Sequence, residues 1–96
     1  MISKMGESVI KTVQEKQAAY GDSFGKAGKI MAILYPDGIR PDQMTDALAV
    51  VRIIDKLFRI ANHKNAFDEC PYSDIVGYGL LGAVRDYEEI VLREVP

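Results

Sequence analysis

The sequence predicts an all-α fold, a compact bundle of about four helices in one domain spanning residues 1–96. Three observations predict it. Apolar residues recur every three to four positions in four separate stretches. No stretch alternates with period two for long enough to make a strand. The breaks between the stretches are short, and short connections favour antiparallel helical neighbours.

The first stretch runs from about Ser3 to Ala19. Met5, Val9 and Val13 recur at steps of four, with Lys4, Lys11, Glu15 and Lys16 around them, which is the pattern of an amphipathic helix. Tyr20-Gly21-Asp22-Ser23 breaks it and starts the next. The second stretch, Ser23 to Tyr35, has Asp22 or Ser23 available as a cap for an orphan amide. Phe24, Ala27, Met31 and Leu34 or Tyr35 form its apolar stripe, while three glycines, Gly21, Gly25 and Gly28, weaken it as an isolated helix. Tyr35-Pro36-Asp37-Gly38 is a strong turn signal, because proline fixes φ and glycine accepts a positive φ.

The third stretch, Pro41 to Asn62, opens with Pro41 in the first turn and with Asp42 and Asp46 at the positive end of the helix dipole. Ala47, Val50, Ile54, Leu57 and Ala61 make one apolar stripe, and Met44, Leu48, Val51 and Phe58 make a second. Two stripes predict a central helix packed on more than one side. A polar stretch from His63 to Pro71 leads to the fourth, Ser73 to about Arg93, with Ser73 as cap. Val76, Leu80, Ala83, Tyr87 and Ile90 read as its core stripe. Ile75, Gly79 and Gly82 form a flatter strip that another backbone can approach closely.

Composition narrows the function. Twelve basic against fourteen acidic residues give a net charge of −2, which argues against a binder of nucleic-acid polymers. No apolar run reaches the roughly 18 residues needed to span a bilayer. The first residues carry no apolar core after Lys4, so no secretory leader is expected and a cytoplasmic setting, bacterial or phage-infected, is. Cys70 is the one cysteine, which excludes an internal disulfide and a four-cysteine zinc site. A chain this short buries only somewhat more than about 60% of its unfolded surface, so burial against a copy of itself is the default expectation.

Several motifs invite a chemical reading. The glycine-rich run Gly21 to Lys29 is not a phosphate loop. Three residues rather than four separate Gly21 from Gly25, and Ala27 follows Lys26 where a serine or threonine would hold the metal. Arg52, Lys56, Arg59 and His63 are spaced four, three and four, so they share one face of the third helix. That face can receive phosphate, the guanidinium as a fork and the ammonium as a point charge. The plainer reading is a solvated face closed by Asp55. Asp55 itself falls in line with Leu48, Val51 and Phe58, where a carboxylate needs a partner. With Asp74 and an acidic neighbour it would suit Mg²⁺ or Mn²⁺. The alternatives are an Asp55 ion pair with Arg52 or Arg59 and a dipole-complementing Asp74. Tyr20 and Tyr78 stand at helix edges or beside glycines, where a ring can stack on a base.

Tyr20-Gly21-Asp22-Ser23-Phe24, then Arg52 through Ile60, then Ser73-Asp74-Ile75-Val76-Gly77-Tyr78-Gly79-Leu80-Leu81 occur in that order. Together they resemble the small helical nucleotide-modification-associated domains of bacteriophages and prophages. The resemblance spans about Tyr20 to Leu81 and implies an association with nucleotide metabolism. The chain is also loosely similar to MazG-like all-α pyrophosphohydrolases, but it lacks the Glu-Glu-x-x-Glu half of their metal site.

The expectation is therefore a homo-oligomeric helical protein, with no cofactor, that binds or sequesters a nucleotide or nucleotide-derived small molecule. Tyr20, Asp22, Arg52, Lys56, Arg59 and Tyr78 are the candidate contacts. One alternative is a divalent-metal nucleotide pyrophosphohydrolase holding Mg²⁺ or Mn²⁺ on Asp55 and Asp74. The other is a structural or interaction protein with no small-molecule ligand.

Overall fold

The structure, a computed structural model, describes residues 2–94, without the side chains of Ala19 and Tyr20. Its elements are four helices, α1 (Ile2–Tyr20), α2 (Ser23–Leu34), α3 (Met44–His63) and α4 (Pro71–Glu94). Single 3₁₀ turns, Pro41–Gln43 and Ala66–Asp68, lead into α3 and α4. No strand occurs among the described residues.

The chain breaks where turn chemistry requires it. Gly21 has a φ of 60°, and the Asp22 amide donates back to the Gln17 carbonyl at 3.2 Å. This six-to-one bond after a left-handed glycine is the Schellman ending, which satisfies a carbonyl the helix leaves open. A Cβ at Gly21 would also stand 2.2 Å from the Asn62 amide nitrogen, so the residue is fixed by space as well as by φ. Asp22 takes the N-cap place of α2 in the left-handed region, but its side chain does not cap. The Asp22 carbonyl instead accepts from the amides of Gly25 and Lys26. At the next break the Gly38 amide donates to the Tyr35 carbonyl at 3.1 Å, with Gly38 at φ 87°. The Pro-Asp-Gly turn forms as its composition predicts.

The core sits between α2 and α3. Among the described apolar residues Met31, Ala47, Ile54, Ala66 and Pro71 are buried. Ala27, Ile30, Tyr35, Val50, Val51 and Phe58 pack around the first three. The two stripes of α3 thus converge in the middle of the helix, as a central element should. Their ends, Met44, Leu48 and Leu57, stay exposed. Ala27, Met31 and Tyr35 of the expected α2 stripe do pack on the core. Ile30 and Tyr35 face α3, while Phe24 is fully exposed and Leu34 is exposed as well.

The fourth helix departs most from expectation. Lys56 pairs with Asp74 at 3.2 Å, and the Arg52 guanidinium lies 5.9 Å from the Tyr78 ring centre. Four steps forward on α4 match four steps back on α3, so the helices are antiparallel. In the same register Met44 comes level with Asp86, and α4 continues past the start of α3. The side turned to α3 is that of Asp74, Ile75, Tyr78 and Gly82, all half-buried. Val76, Leu80 and Tyr87, expected in the core, are 60%, 62% and 67% exposed, and Ala83 and Ile90 are exposed with them. The periodicity of α4 is real, but its apolar stripe faces solvent.

The shape follows. The radius of gyration is 17.3 Å and the long axis 61 Å. A compact chain of this length has a radius of about 12.5 Å. Every described residue of α1 from Ile2 to Ala18 is exposed. No helix among the described residues is long and apolar enough to cross a membrane.

Candidate functional site

The candidate contacts divide into two sets on different sides of α3. Arg52, Lys56 and Tyr78 lie on the seam between α3 and α4. Arg52 is exposed and projects over the half-buried Tyr78 ring. Lys56, one turn along, is mostly buried and holds Asp74. A guanidinium over a phenol face with an ammonium one turn away is a surface that suits an anion bearing a flat ring.

Asp22 belongs to the second set. It lines an open, polar depression of about 480 Å³ with Gln14, Gln17, Lys26 and Asn62. The Gln17 side-chain amide donates to its carboxylate at 3.1 Å. Asn62, which borders this depression, turns its amide toward Gly21 and donates to the Phe58 carbonyl at 2.7 Å. The side chain of Tyr20 lies outside the described residues.

Arg59 has a different task from its neighbours on the stripe. Its side chain is 0% exposed. It donates to the Glu69 carboxylate and to the Glu69 carbonyl, each at 2.5 Å, and to the Lys64 carbonyl at 3.4 Å. It therefore clamps both ends of the loop from Lys64 to Glu69 onto the last turns of α3. Within that loop Phe67 and Asp68 have φ of 61° and 51°, the left-handed region that non-glycine residues seldom occupy. The Arg59 clamp and the Lys16 ammonium, 4.1 Å from the Phe67 ring centre, hold them there. His63 ends α3 in an exposed position.

The acidic candidates do not gather. Asp55 is half-buried on α3, and Asp74 is joined to Lys56. Among the described residues no three His, Cys, Asp or Glu side chains come together as a metal-ligand group.

Sequence reasoning used Cys70 to exclude a disulfide and a zinc site and did not make it a site residue. It is exposed at the mouth of α4, beside a cleft of about 310 Å³ lined by Lys64, Asn65, Asp68 and Glu69. Hydrogen bonds from the Ser73 hydroxyl and the Ser73 amide, then the Tyr72 amide, favour its thiolate. With a weaker contribution from the Lys64 charge, they hold the thiol below its ordinary pKa. A cysteine just before Pro71, with Ser73 three residues after the cysteine, was the available signal.

Comparison of the chain with protein-family models, curated proteins and solved structures returns no match to any of the three.

Proposed function

We propose that this chain works by binding rather than by catalysis, as a helical module that assembles through its exposed apolar faces. One observation carries the reading. The chain exposes 7614 Å² of surface. A folded monomer of 10.7 kDa exposes about 5,500 Å² by the usual size scaling. The difference, about 2,100 Å² per chain, is of the order that obligate homodimers bury. It is also apolar in the right places. Met5, Val9 and Val13 line α1, and Val76, Leu80 and Tyr87 line α4, all open to solvent. A 19-residue helix with such a stripe is marginal in water without something to cover it.

Light scattering across a concentration series tests this. A mass of two or more chains, falling to one on dilution, is the expected result. A single-chain mass at every concentration removes the reading.

A second reading is favoured by the Arg52–Tyr78 stack with Lys56 beside it. In that reading the assembly holds a nucleotide or nucleotide-derived molecule, phosphate on Arg52 and Lys56, base on Tyr78. The likeness to phage nucleotide-modification-associated domains points the same way. Arg59 and Asp22 fall outside this contact set, the first because its guanidinium is inside the fold. The test is depletion. Protein is mixed with mono-, di-, tri- and cyclic nucleotides with and without Mg²⁺, then filtered, and both filtrate and heat-released contents are chromatographed. A nucleotide that vanishes from the filtrate and returns intact supports binding. New metal-dependent products would instead favour the pyrophosphohydrolase alternative, for which Asp74, tied to Lys56, is poorly placed.

A further inference from the structure

We infer that the partner is a second copy of this chain, bound along the solvent side of α4 in a two-fold, antiparallel α4–α4 pairing. This rests on the assembly reading above and names its occupant.

The argument begins with spacing. Val76, Leu80, Ala83, Tyr87 and Ile90 follow one another at steps of four, three, four and three. That is the 3.5-residue repeat of a helix-to-helix seam, kept over five positions. Helical geometry sets this line nearly opposite the side that carries Asp74 and Tyr78 to α3. α4 therefore docks on its own chain by one side and offers an unbroken seam on the other. Val84 and Val91, both exposed, widen one flank of that seam.

Such a seam fits a copy of itself, and volume and charge choose the direction. In a parallel pair each residue meets its equivalent. Ala83 would face Ala83 and leave a void between a Leu80 layer and a Tyr87 layer. An antiparallel pair in the alternating register sets Leu80 against the partner's Ala83 and Tyr87 against the partner's Val76. Each layer then holds one large and one small side chain, and the seam fills evenly. The charges agree. Glu88, Glu89 and Glu94 lie in the last part of α4, at the negative end of its dipole. A parallel pair would crowd six acids together. The antiparallel pair separates the two sets to opposite ends of the seam. The area agrees too. The excess over the scaling for a monomer, about 2,100 Å² per chain shared between α1 and α4, leaves room for the roughly 800 Å² per partner of a standard interface.

The experiment uses the full chain with Cys70→Ser as background. Val76→Cys and Tyr87→Cys variants are oxidised separately and as a mixture, and linked species are separated by mass. Leu80→Glu is followed by light scattering, with circular dichroism to confirm that it stays helical. The expected result has three parts. The unmodified chain has a multiple-chain mass, Leu80→Glu is a single chain, and a disulfide forms only in the Val76→Cys plus Tyr87→Cys mixture. A disulfide in Val76→Cys alone shows a parallel pair and overturns the inference while leaving assembly intact. A multiple-chain mass with no disulfide in any sample, and unchanged in Leu80→Glu, places the contact elsewhere and overturns it as well. A single-chain mass for the unmodified protein overturns both this inference and the assembly reading, and leaves the apolar faces to a different protein.

Discussion

α4 touches its own chain along one side and solvent along the other, and the two sides carry the reverse of the usual chemistry. Toward α3 it turns Asp74 and Tyr78, which meet Lys56 and Arg52. Toward solvent it turns Val76, Leu80, Ala83, Tyr87 and Ile90. Ion pairs that are not fully buried hold weakly, about 0–1 kcal/mol each. Apolar seams hold in proportion to the area they cover, about 25 cal/mol per Å². The contact made inside the chain thus joins ion pairing to the half-buried Ile75, and the longer apolar line is left for an outside surface. Within the chain, firm attachment comes from two other places: the small α2–α3 core and the Arg59 clamp on the loop before α4.

The sharpest way to break this arrangement is at the clamp. Arg59→Ala removes a buried guanidinium that satisfies two loop carbonyls and the Glu69 carboxylate, and it leaves a cavity. Urea unfolding should show a loss of about 4 kcal/mol. Glu69→Ala should cost less than half of that, because its carboxylate is half exposed and the backbone carbonyl still accepts from Arg59. Equal losses in the two variants would mean that the ion pair, not the carbonyl clamp, holds the loop.

The second test sets the inner surface against the outer one. Ile54 is 3% exposed in the core, so Ile54→Ala should cost about 3 kcal/mol. Leu80→Ala deletes the same number of carbon atoms from an exposed place. In protein dilute enough to be a single chain, its effect should stay within about 0.5 kcal/mol. At concentrations where copies associate, the same variant should lose apparent stability that the unmodified chain keeps. A large loss for Leu80→Ala in dilute protein would show that α4 packs inward by that stripe after all.

That contrast also marks how far the sequence could be read. Helix number and order, the Pro36-Asp37-Gly38 turn and the central place of α3 all follow from local chemistry, and the fold shows them. The direction of the α4 stripe does not follow. A 3.5-residue period says that one side of a helix wants cover, but it does not say whether the cover is in the same chain. Arg59 was obscured for a related reason. Spacing puts it on one face with Arg52 and Lys56, and only the loop that returns over α3 separates them. Glu69, ten residues later and two before Pro71, was the trace of that return. Gly21 was legible as a break, but not the approach of Asn62, which depends on tertiary packing.

Gly21 offers an effect of intermediate size, in two parts. Gly21→Ala meets both a φ of 60° and the Asn62 side chain. Together these should cost about 2 kcal/mol. In an Asn62→Ala background the clash disappears and only the φ strain remains, about 1 kcal/mol. A double-mutant cycle by thermal melting therefore reads a coupling of about 1 kcal/mol between α1's end and α3's end. No coupling would mean that the Asn62 side chain yields to a Cβ at Gly21 without cost, so that φ alone fixes the glycine.

The smallest effect is a titration rather than a loss of stability, and it reports on the loop that leaves this same end of α3. Cys70 sits between the clamped loop and α4, and its thiolate is favoured first by the Ser73 hydroxyl and then by the helix amides. Depression of its pKa means more thiolate near neutrality, so alkylation by iodoacetamide should be faster there than for a free thiol. The midpoint of its rate against pH should lie below the ordinary value of 9.0. Ser73→Ala removes the largest cause and should move the midpoint upward without unfolding α4. Arg59→Ala frees the loop that presents Cys70 to the helix amides, so it should move the midpoint upward as well, even in the fraction that remains folded. If Ser73→Ala shifts the midpoint and Arg59→Ala does not, the first turn of α4 keeps its form without the clamp. The polar side of α4 would then be sufficient to hold it, and the comparison between its two sides would have to be redrawn.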